Sequence, residues 1–160
     1  MALCLCTGAF AAEKSGFSNF QPVNSYSYDS FSDVSGWYSD YVSTVYTMGL
    51  MQGSTSPYGE RVFKPNGVIT LAETITLADR IHSTYAGNGK TFVQGGVWYQ
   101  VYVDYALEQG ILSAGEYTNY NQPATRAQFA SILERALPNE AYPEINTVEI
   151  GAIPDLEMDQ

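Results

Sequence analysis

The sequence is poor in positive charge, and this shortage excludes a class of partner. Only 7 residues are Lys or Arg against 17 Asp or Glu, which gives a formal net charge of -10 over 160 residues. Nucleic-acid binding requires clustered cations that contact phosphates, so we expect no nucleic-acid partner. An anionic ligand fits this composition only at a local site where an arginine and helix amides outweigh the overall field.

Histidine and cysteine are scarce too, so few side chains are suited to act as catalytic nucleophiles, bases or metal ligands. His82 is the only histidine, and the only cysteines are Cys4 and Cys6. This set offers no Cys–His nucleophile and no thiolate metal site once the N-terminus is removed. No Gly-rich phosphate loop, nucleophile elbow or calcium-loop spacing is present. We therefore expect no enzyme, no cofactor and no metal in these residues, and a helix-surface or partly packed position for His82.

Both cysteines lie in residues 1–11, an apolar stretch that ends in the small-x-small pattern of Ala9, Phe10 and Ala11. This stretch is typical of the end of a secretory signal peptide, here without a basic n-region and with a short apolar run. The N-terminus of a cytosolic protein is the alternative. Residues 12–30 are rich in Ser, Asn and Tyr and predict a linker or an extended leader. No other segment is long and apolar enough to span a bilayer.

Two capping boxes mark predicted helix starts. Thr125 and Gln128 stand three residues apart before an apolar stripe, and Thr70 and Glu73 repeat this pattern upstream. Arg126 falls at the first helical position, where the positive end of the helix favours anions. Its guanidinium and the nearby amides form a candidate anion-binding corner, while a solvent-exposed arginine is the simpler interpretation.

The boxes belong to a longer repeat of the helix-loop-helix kind. Corresponding tryptophans and glycines are 61 residues apart, whereas the threonines of the boxes are 55 apart, so the second copy has a shorter loop. The matched positions are Trp37-Tyr38 with Trp98-Tyr99, Gly49-Leu50 with Gly110-Ile111, Thr70 with Thr125, and Arg80 with Arg135. Gly49 and Gly110 are expected to end the first helix of each copy.

We assign the first repeat to residues 31–87 and the second to residues 92–138. Residues 145–160 read as the start of a third, truncated repeat, because Ile153-Pro154-Asp155-Leu156 matches Phe31-Ser32-Asp33-Val34.

The order of these motifs resembles the S-layer homology domain. The first copy has Phe31-Ser32-Asp33-Val34, Trp37-Tyr38, Gly49-Leu50-Met51-Gln52-Gly53, Phe63-Lys64-Pro65 and Thr70-Leu71-Ala72-Glu73. The second copy has Trp98-Tyr99, Gly110-Ile111-Leu112 and Thr125-Arg126-Ala127-Gln128. The resemblance implies an all-α fold in which helix-loop-helix repeats pack as a pseudo-threefold prism. It also implies a non-catalytic module that holds a secreted protein on the bacterial cell wall or S-layer by binding pyruvylated secondary cell-wall polysaccharide.

The resemblance further implies the residues that bind the glycan. The arginine of the Thr-Arg-Ala-Glu motif binds the ketal carboxylate in this family, and this role falls to Arg126. The Asp and Trp that open a repeat help line the groove between neighbouring repeats. The other implied glycan-binding residues are Thr125, Gln128, Trp37, Trp98, Asp33, Asp155 and Gly53. A packing role in the core is the alternative for both tryptophans.

Two departures from the motif keep a second hypothesis open. Leu71 stands where the first repeat would carry the arginine, and residues 93–97 replace the Phe-x-Asp opening of the second repeat. The alternative is a protein-interaction or assembly module on the same fold that has lost glycan binding. Such a module would self-associate through the incomplete third repeat. Arg126 separates the two hypotheses, because only the anchor requires it to contact a ligand.

Overall fold

The computed structural model describes residues 16–142. The predicted leader at 1–11 and the predicted third repeat at 145–160, with Asp155, lie outside the described residues. The helices are α1 (Ser39–Thr47), α2 (Leu71–Ala86), α3 (Gln100–Glu108) and α4 (Arg126–Glu134). The strands are β1 (Ser54–Thr55) and β2 (Arg61–Val62), and 3-10 helices cover Phe17–Asn19, Tyr28–Ser30 and Asn139–Ala141. Within this part, no helix has the length and apolar character needed to cross a bilayer.

The fold is mostly helical, but the all-α prediction missed a small antiparallel hairpin. Ser54 pairs with Val62 and Thr55 pairs with Arg61. The hydroxyl of Ser56 accepts hydrogen bonds from the amides of Tyr58 and Glu60, both at 3.2 Å, and these bonds close the turn. The hairpin is thus held at its turn by side-chain hydrogen bonds. Its strands show no alternation of apolar and polar residues, which is the pattern that normally predicts a strand.

Both predicted capping boxes are formed. The Thr70 hydroxyl accepts from the Glu73 amide at 3.2 Å, and the Glu73 carboxylate accepts from the Thr70 amide at 2.8 Å. Thr125 and Gln128 make the same reciprocal pair at 3.2 and 2.9 Å. These bonds satisfy amides that a helix start leaves without an intrahelical partner, which is why α2 and α4 begin where the sequence predicts.

The first helices of the two predicted repeats match in length and in their ends. α1 and α3 each have nine residues. Gly49 follows α1 with a φ of 72°, and Gly110 follows α3 with a φ of 73°. Glycine adopts this left-handed conformation without the Cβ penalty that other residues meet, so both positions act as helix stops.

α2 is the central helix of the described part, and it packs against α3, α4 and the 3-10 helix Phe17–Asn19. The larger core cluster joins α2 to both helices of the second predicted repeat. Its buried members are Leu71, Ile75, Ala78, Tyr102, Val103, Ala106, Ile111, Leu112, Ile132 and Ala136. A smaller cluster lies beneath α1 and contains Phe31, Val34, Val42 and Tyr46.

The segment before Phe31 contains two 3-10 helices and packs on the ends of two α-helices. The amide of Gly16 and the side chain of Asn19 both donate to the carbonyl of Tyr85, at 2.8 and 3.0 Å. The amide of Val23 donates to the carbonyl of Thr47 at 2.8 Å. The residues expected to form a linker or an extended leader thus satisfy carbonyl groups that the C-terminal ends of α2 and α1 leave open.

Candidate functional site

A cleft of about 620 Å³ lies between the first predicted repeat and Trp98 of the second. The first repeat contributes residues 50–54, the turn around Pro65 and one face of α2. That face carries side chains spaced three and four residues apart, which places them on one side of a helix. Its members are Glu73, Thr76, Leu77 and Arg80. The cleft therefore depends on packing between the two predicted repeats.

Two of the predicted glycan-binding residues, Gly53 and Trp98, line this cleft. Trp98 is 39% exposed, so part of its ring is open to a ligand. Gly53 has a φ of 68°, and a Cβ at this position would lie 2.5 Å from a ring carbon of Phe31 and 2.7 Å from the carbonyl oxygen of Val62. Glycine is therefore required at this point of the cleft wall, for space as well as for backbone conformation.

Asp33 binds the backbone of two residues that line the cleft. Its two carboxylate oxygens accept hydrogen bonds from the amides of Phe63 and Lys64, at 2.8 and 2.7 Å. Lys64 has a φ of 59°, which is costly for a residue with a Cβ. Since Phe63 and Lys64 both line the cleft, Asp33 positions the wall with both of its acceptor oxygens.

The N-terminus of α2 offers no open amides for an anion. Leu71, which occupies the motif position of the arginine, is fully buried. Its amide donates to the carbonyl of Gln122 at 3.0 Å, and the amide of Ala72 donates to the carbonyl of Tyr120 at 2.8 Å. The loop before α4 thus covers this helix start with backbone acceptors. The first repeat has neither the motif arginine nor a free helix N-terminus.

The N-terminus of α4 is open by comparison. Arg126 is exposed on the first turn. Among residues 16–142, neither its side chain nor the amides of Arg126 and Ala127 make a hydrogen bond. The side chains of Thr125 and Gln128 are engaged in the capping box. Arg126 does not line the cleft of Trp98, so the structure separates the predicted carboxylate ligand from the predicted groove residues.

Trp37 lies outside the cleft as well. It is 83% exposed, and its ring stands edge-on to those of Tyr38 and Tyr41, with centroids 5.7 and 6.2 Å away. The alternative of a packing role in the core is therefore wrong for Trp37.

One segment of the chain matches a known protein family. Residues 30–75 match the family model of the S-layer homology domain. This segment is similar to the S-layer homology domain. The match begins just before Phe31 and ends within α2, so it confirms the resemblance seen in the motifs of the first copy. Comparison with curated proteins and with solved structures gave no match.

S-layer homology domains are generally non-catalytic modules that bind cell-wall polymer and associate proteins with the cell surface. The matched segment contains Asp33, Gly53 and the α2 side of the cleft as far as Glu73. Trp98, which also lines the cleft, lies beyond the match.

The cleft also holds Arg80, a residue that the sequence paired with Arg135 without assigning it to a site. Arg80 donates through Nη1 to the carbonyl of Leu50 at 3.0 Å and through Nη2 to the Tyr102 hydroxyl at 3.1 Å. Arg135 instead makes a bidentate ion pair with Glu116, at 3.0 and 2.8 Å. Arg80 and Arg135 occupy the same position in the two repeats. Arg135 is paired with a carboxylate, whereas Arg80 has no carboxylate partner among the described residues. Only tertiary structure reveals this difference.

A polar network behind the S-layer homology domain involves His82. Its Nδ1 lies 2.8 Å from the hydroxyl of Tyr105, which also accepts from the side chain of Asn88 at 3.3 Å. Burial lowers the pKa of His82 below its usual value, so the neutral ring is favoured. This half-buried position agrees with the helix-surface or partly packed position predicted for His82. No group of His, Cys, Asp and Glu within residues 16–142 could hold a metal ion.

Proposed function

We propose that this chain anchors a secreted protein to the bacterial cell wall by binding secondary cell-wall polysaccharide that carries pyruvate ketals. The proposal extends the general role of the S-layer homology domain at residues 30–75 to a particular polymer and a particular cleft. The observation that carries it is that Trp98 and Gly53 line one cleft together with residues of that segment.

The cleft has the features that a sugar-binding groove requires. Aromatic faces pack against the C–H faces of sugar rings, and the partly exposed ring of Trp98 offers such a face. The volume of about 620 Å³ is within the range of small-molecule sites, which accommodates one or two sugar units of a longer chain.

We further propose that Arg126 makes a second contact with the polymer, outside this cleft. A guanidinium binds a carboxylate through two parallel hydrogen bonds, and the open amides at the start of α4 add to the attraction. Repeats at 31–87 and 92–138, a third repeat beginning at 145 and pseudo-threefold packing remain part of this proposal. In such an arrangement, the exposed ring of Trp37 and the matching Asp155 would line further grooves.

The exposed aromatic side chains near the start of α1 favour the second candidate function, an assembly module that has lost glycan binding. Trp37 and Tyr41 are 83% and 67% exposed and lie next to one another. Large exposed aromatic side chains are enriched in protein interfaces.

A pull-down of the chain, extended through the predicted third repeat, on purified cell-wall sacculi tests the proposal. We expect Arg126→Ala to reduce the affinity by about tenfold, because one charged hydrogen-bonding contact is lost. Trp98→Ala should also reduce the bound fraction, because it removes the aromatic face that packs against the sugar. Sacculi stripped of secondary polysaccharide should retain none of the protein.

Tyr58→Ala is the matched control, because Tyr58 is 90% exposed in the hairpin turn and lines no described cleft. Its binding should equal that of the wild type. Wild-type protein that binds stripped and intact sacculi equally would refute the anchor. In that case, reduced self-association of Trp37→Ala in sedimentation measurements would support the assembly module.

A further inference from the structure

Two adjoining clefts meet at Arg80. The second cleft, of about 320 Å³, shares Gln52 and Arg80 with the first and is also lined by Lys90 and Tyr102. Lys64 lines the first cleft. Three of the seven Lys and Arg residues of the chain therefore border this one region, although the net charge of the whole chain is -10.

Arg80 is held in place but not neutralised. Its two hydrogen bonds, to Leu50 and Tyr102, use two of the five N–H donors of a guanidinium. Its Cζ also lies 5.7 Å from the ring centroid of Tyr102. Within residues 16–142, no carboxylate lies within ion-pair distance of it. A half-buried, fixed guanidinium with spare donors is suited to an anion, because little side-chain entropy is lost on binding.

Among residues 16–142, the only carboxylate in the lining of the two clefts belongs to Glu73. It accepts hydrogen bonds from the amide and the hydroxyl of Thr70, both at 2.8 Å, and so is committed to the capping box. Seven residues along α2 correspond to a rise of about 10 Å, so Glu73 lies two turns away from Arg80. Glu73 therefore makes no ion pair with Arg80.

We propose that Arg80 is the carboxylate-binding residue of this cleft and that the ligand is an acidic saccharide. The sugar ring lies on Trp98, its carboxylate is bound by Arg80, and Lys64 and Lys90 add positive charge on either side. A ligand with one carboxylate per binding site fits better than a densely charged polyanion, because the net negative charge of the molecule repels the latter. This inference rests on the proposed function and assigns the charge recognition of the cleft to a residue outside the Thr-Arg-Ala-Glu motif.

The test uses a small probe, the methyl glycoside of a hexose bearing one pyruvate ketal. The same compound with its carboxylate methylated is the uncharged control. Binding is followed through the NMR signal of the Trp98 indole N–H in the full chain. We expect the acid to shift this signal, the ester to bind about tenfold more weakly or not at all, and Arg80→Gln to weaken binding of the acid about tenfold or more.

Arg135→Gln is the matched control variant, since Arg135 occupies the same position in the second predicted repeat but is paired with Glu116. It should bind the acid like the wild type. Lys64→Gln and Lys90→Gln keep the bonds of Arg80 to Leu50 and Tyr102, and each should weaken binding by a smaller factor. These two variants keep the inference testable if Arg80→Gln fails to fold.

Each alternative result has a defined meaning. If the acid does not shift the Trp98 signal, or if acid and ester bind equally, the inference is wrong. If Arg126→Ala abolishes binding while a folded Arg80→Gln does not change it, the carboxylate belongs to Arg126 instead. The sacculus pull-down is separate: loss of wall binding with retained binding of the acid would refute the anchor and keep the acidic-saccharide cleft.

Discussion

Asp79 shows how strongly one buried group can affect this small helical molecule. It is fully buried on α2, and neither carboxylate oxygen has a hydrogen-bond partner among residues 16–142. Burial raises the pKa of Asp79 from 3.8 to about 8, because the charged form loses its hydration. Asp79 is therefore protonated in the folded state at neutral pH.

We predict that stability falls between about pH 4 and about pH 8 because of Asp79. The folded state binds its proton more tightly than the unfolded state, so the stability is complete below the unfolded pKa of 3.8 and is lost as the pH rises through about 8. The loss has a limiting slope of about 1.4 kcal/mol per pH unit. Asp79→Asn should abolish this slope.

Urea denaturation of wild type and Asp79→Asn between pH 6.5 and pH 8 measures the effect. This window lies above the ordinary pKa of His82, 6.5, which burial lowers in the folded state. The His82 contribution has the opposite sign, because stability from a neutral buried histidine is lost as the pH falls below 6.5. Parallel pH profiles for the two proteins would contradict the prediction.

The two capping boxes make similar hydrogen bonds, but the helices that they begin differ in how much they contribute to the core. Thr70 begins α2, the central helix, while Thr125 begins α4, where only Ile132 is buried within the helix itself. Loss of an N-cap side chain costs about 1 kcal/mol in proteins. The Thr70 hydroxyl also donates to Glu73, so its removal affects a further bond at the same helix start.

We predict that Thr70→Ala lowers the free energy of unfolding by about 1.5 kcal/mol and that Thr125→Ala lowers it by about 1 kcal/mol or less. Chemical denaturation of both variants gives these values. Thr118→Ala, at an exposed position in a loop, is the control and should change stability by less than about 0.5 kcal/mol. A larger loss for Thr125→Ala than for Thr70→Ala would show that α2 is not the central element for stability.

The accuracy of the sequence predictions depended on how local each feature is. The capping boxes and glycine stops were correct because they need only a few neighbouring residues. The hairpin was missed because its strands have two residues each, too few for a period to be read. Leu71 in place of the motif arginine predicted that the start of α2 lacks an anion ligand. The sequence did not predict that the backbone of the second repeat covers this helix start, because this contact depends on long-range packing.

The partners of Arg80 and Arg135 illustrate the same limit. Both repeats carry a Gly-Glu pair in the loop between their helices, Gly59-Glu60 in the first and Gly115-Glu116 in the second. Glu116 pairs with Arg135, whereas Glu60 lies at the hairpin turn, where its backbone bonds to Ser56. The longer loop of the first repeat folds on itself as a hairpin, and Glu60 makes no ion pair with Arg80.

At the scale of the whole molecule, the cleft lies between parts of the fold that belong to different core clusters. Phe63, on one wall, packs against the smaller cluster beneath α1. Trp98, which also lines the cleft, stands edge-on to Tyr102 of the larger cluster, with ring centroids 6.4 Å apart. The cleft width therefore depends on how the two clusters pack, which links binding to the stability of both.

The overall charge leads to the last prediction, on the ionic-strength dependence of binding to the acidic polymer. Long-range repulsion from a protein of net charge -10 opposes the approach of an anionic chain. The contact with Arg80 acts over a few ångströms and is partly buried, so salt screens it less. The Debye length falls from about 30 Å at 10 mM salt to about 8 Å at 150 mM.

We therefore expect the association rate for pyruvylated polysaccharide to rise between 10 and 150 mM salt, with a smaller change in the dissociation rate. Surface-immobilised polymer and a kinetic binding measurement at several salt concentrations provide the test, with depyruvylated polymer as the control. A protein that bound through an extended basic surface would behave in the opposite way, because its affinity falls steeply with salt as counterions are released. A steep fall here would mean that the local field of Lys64, Arg80 and Lys90 extends well beyond the cleft and outweighs the acidic surface during approach.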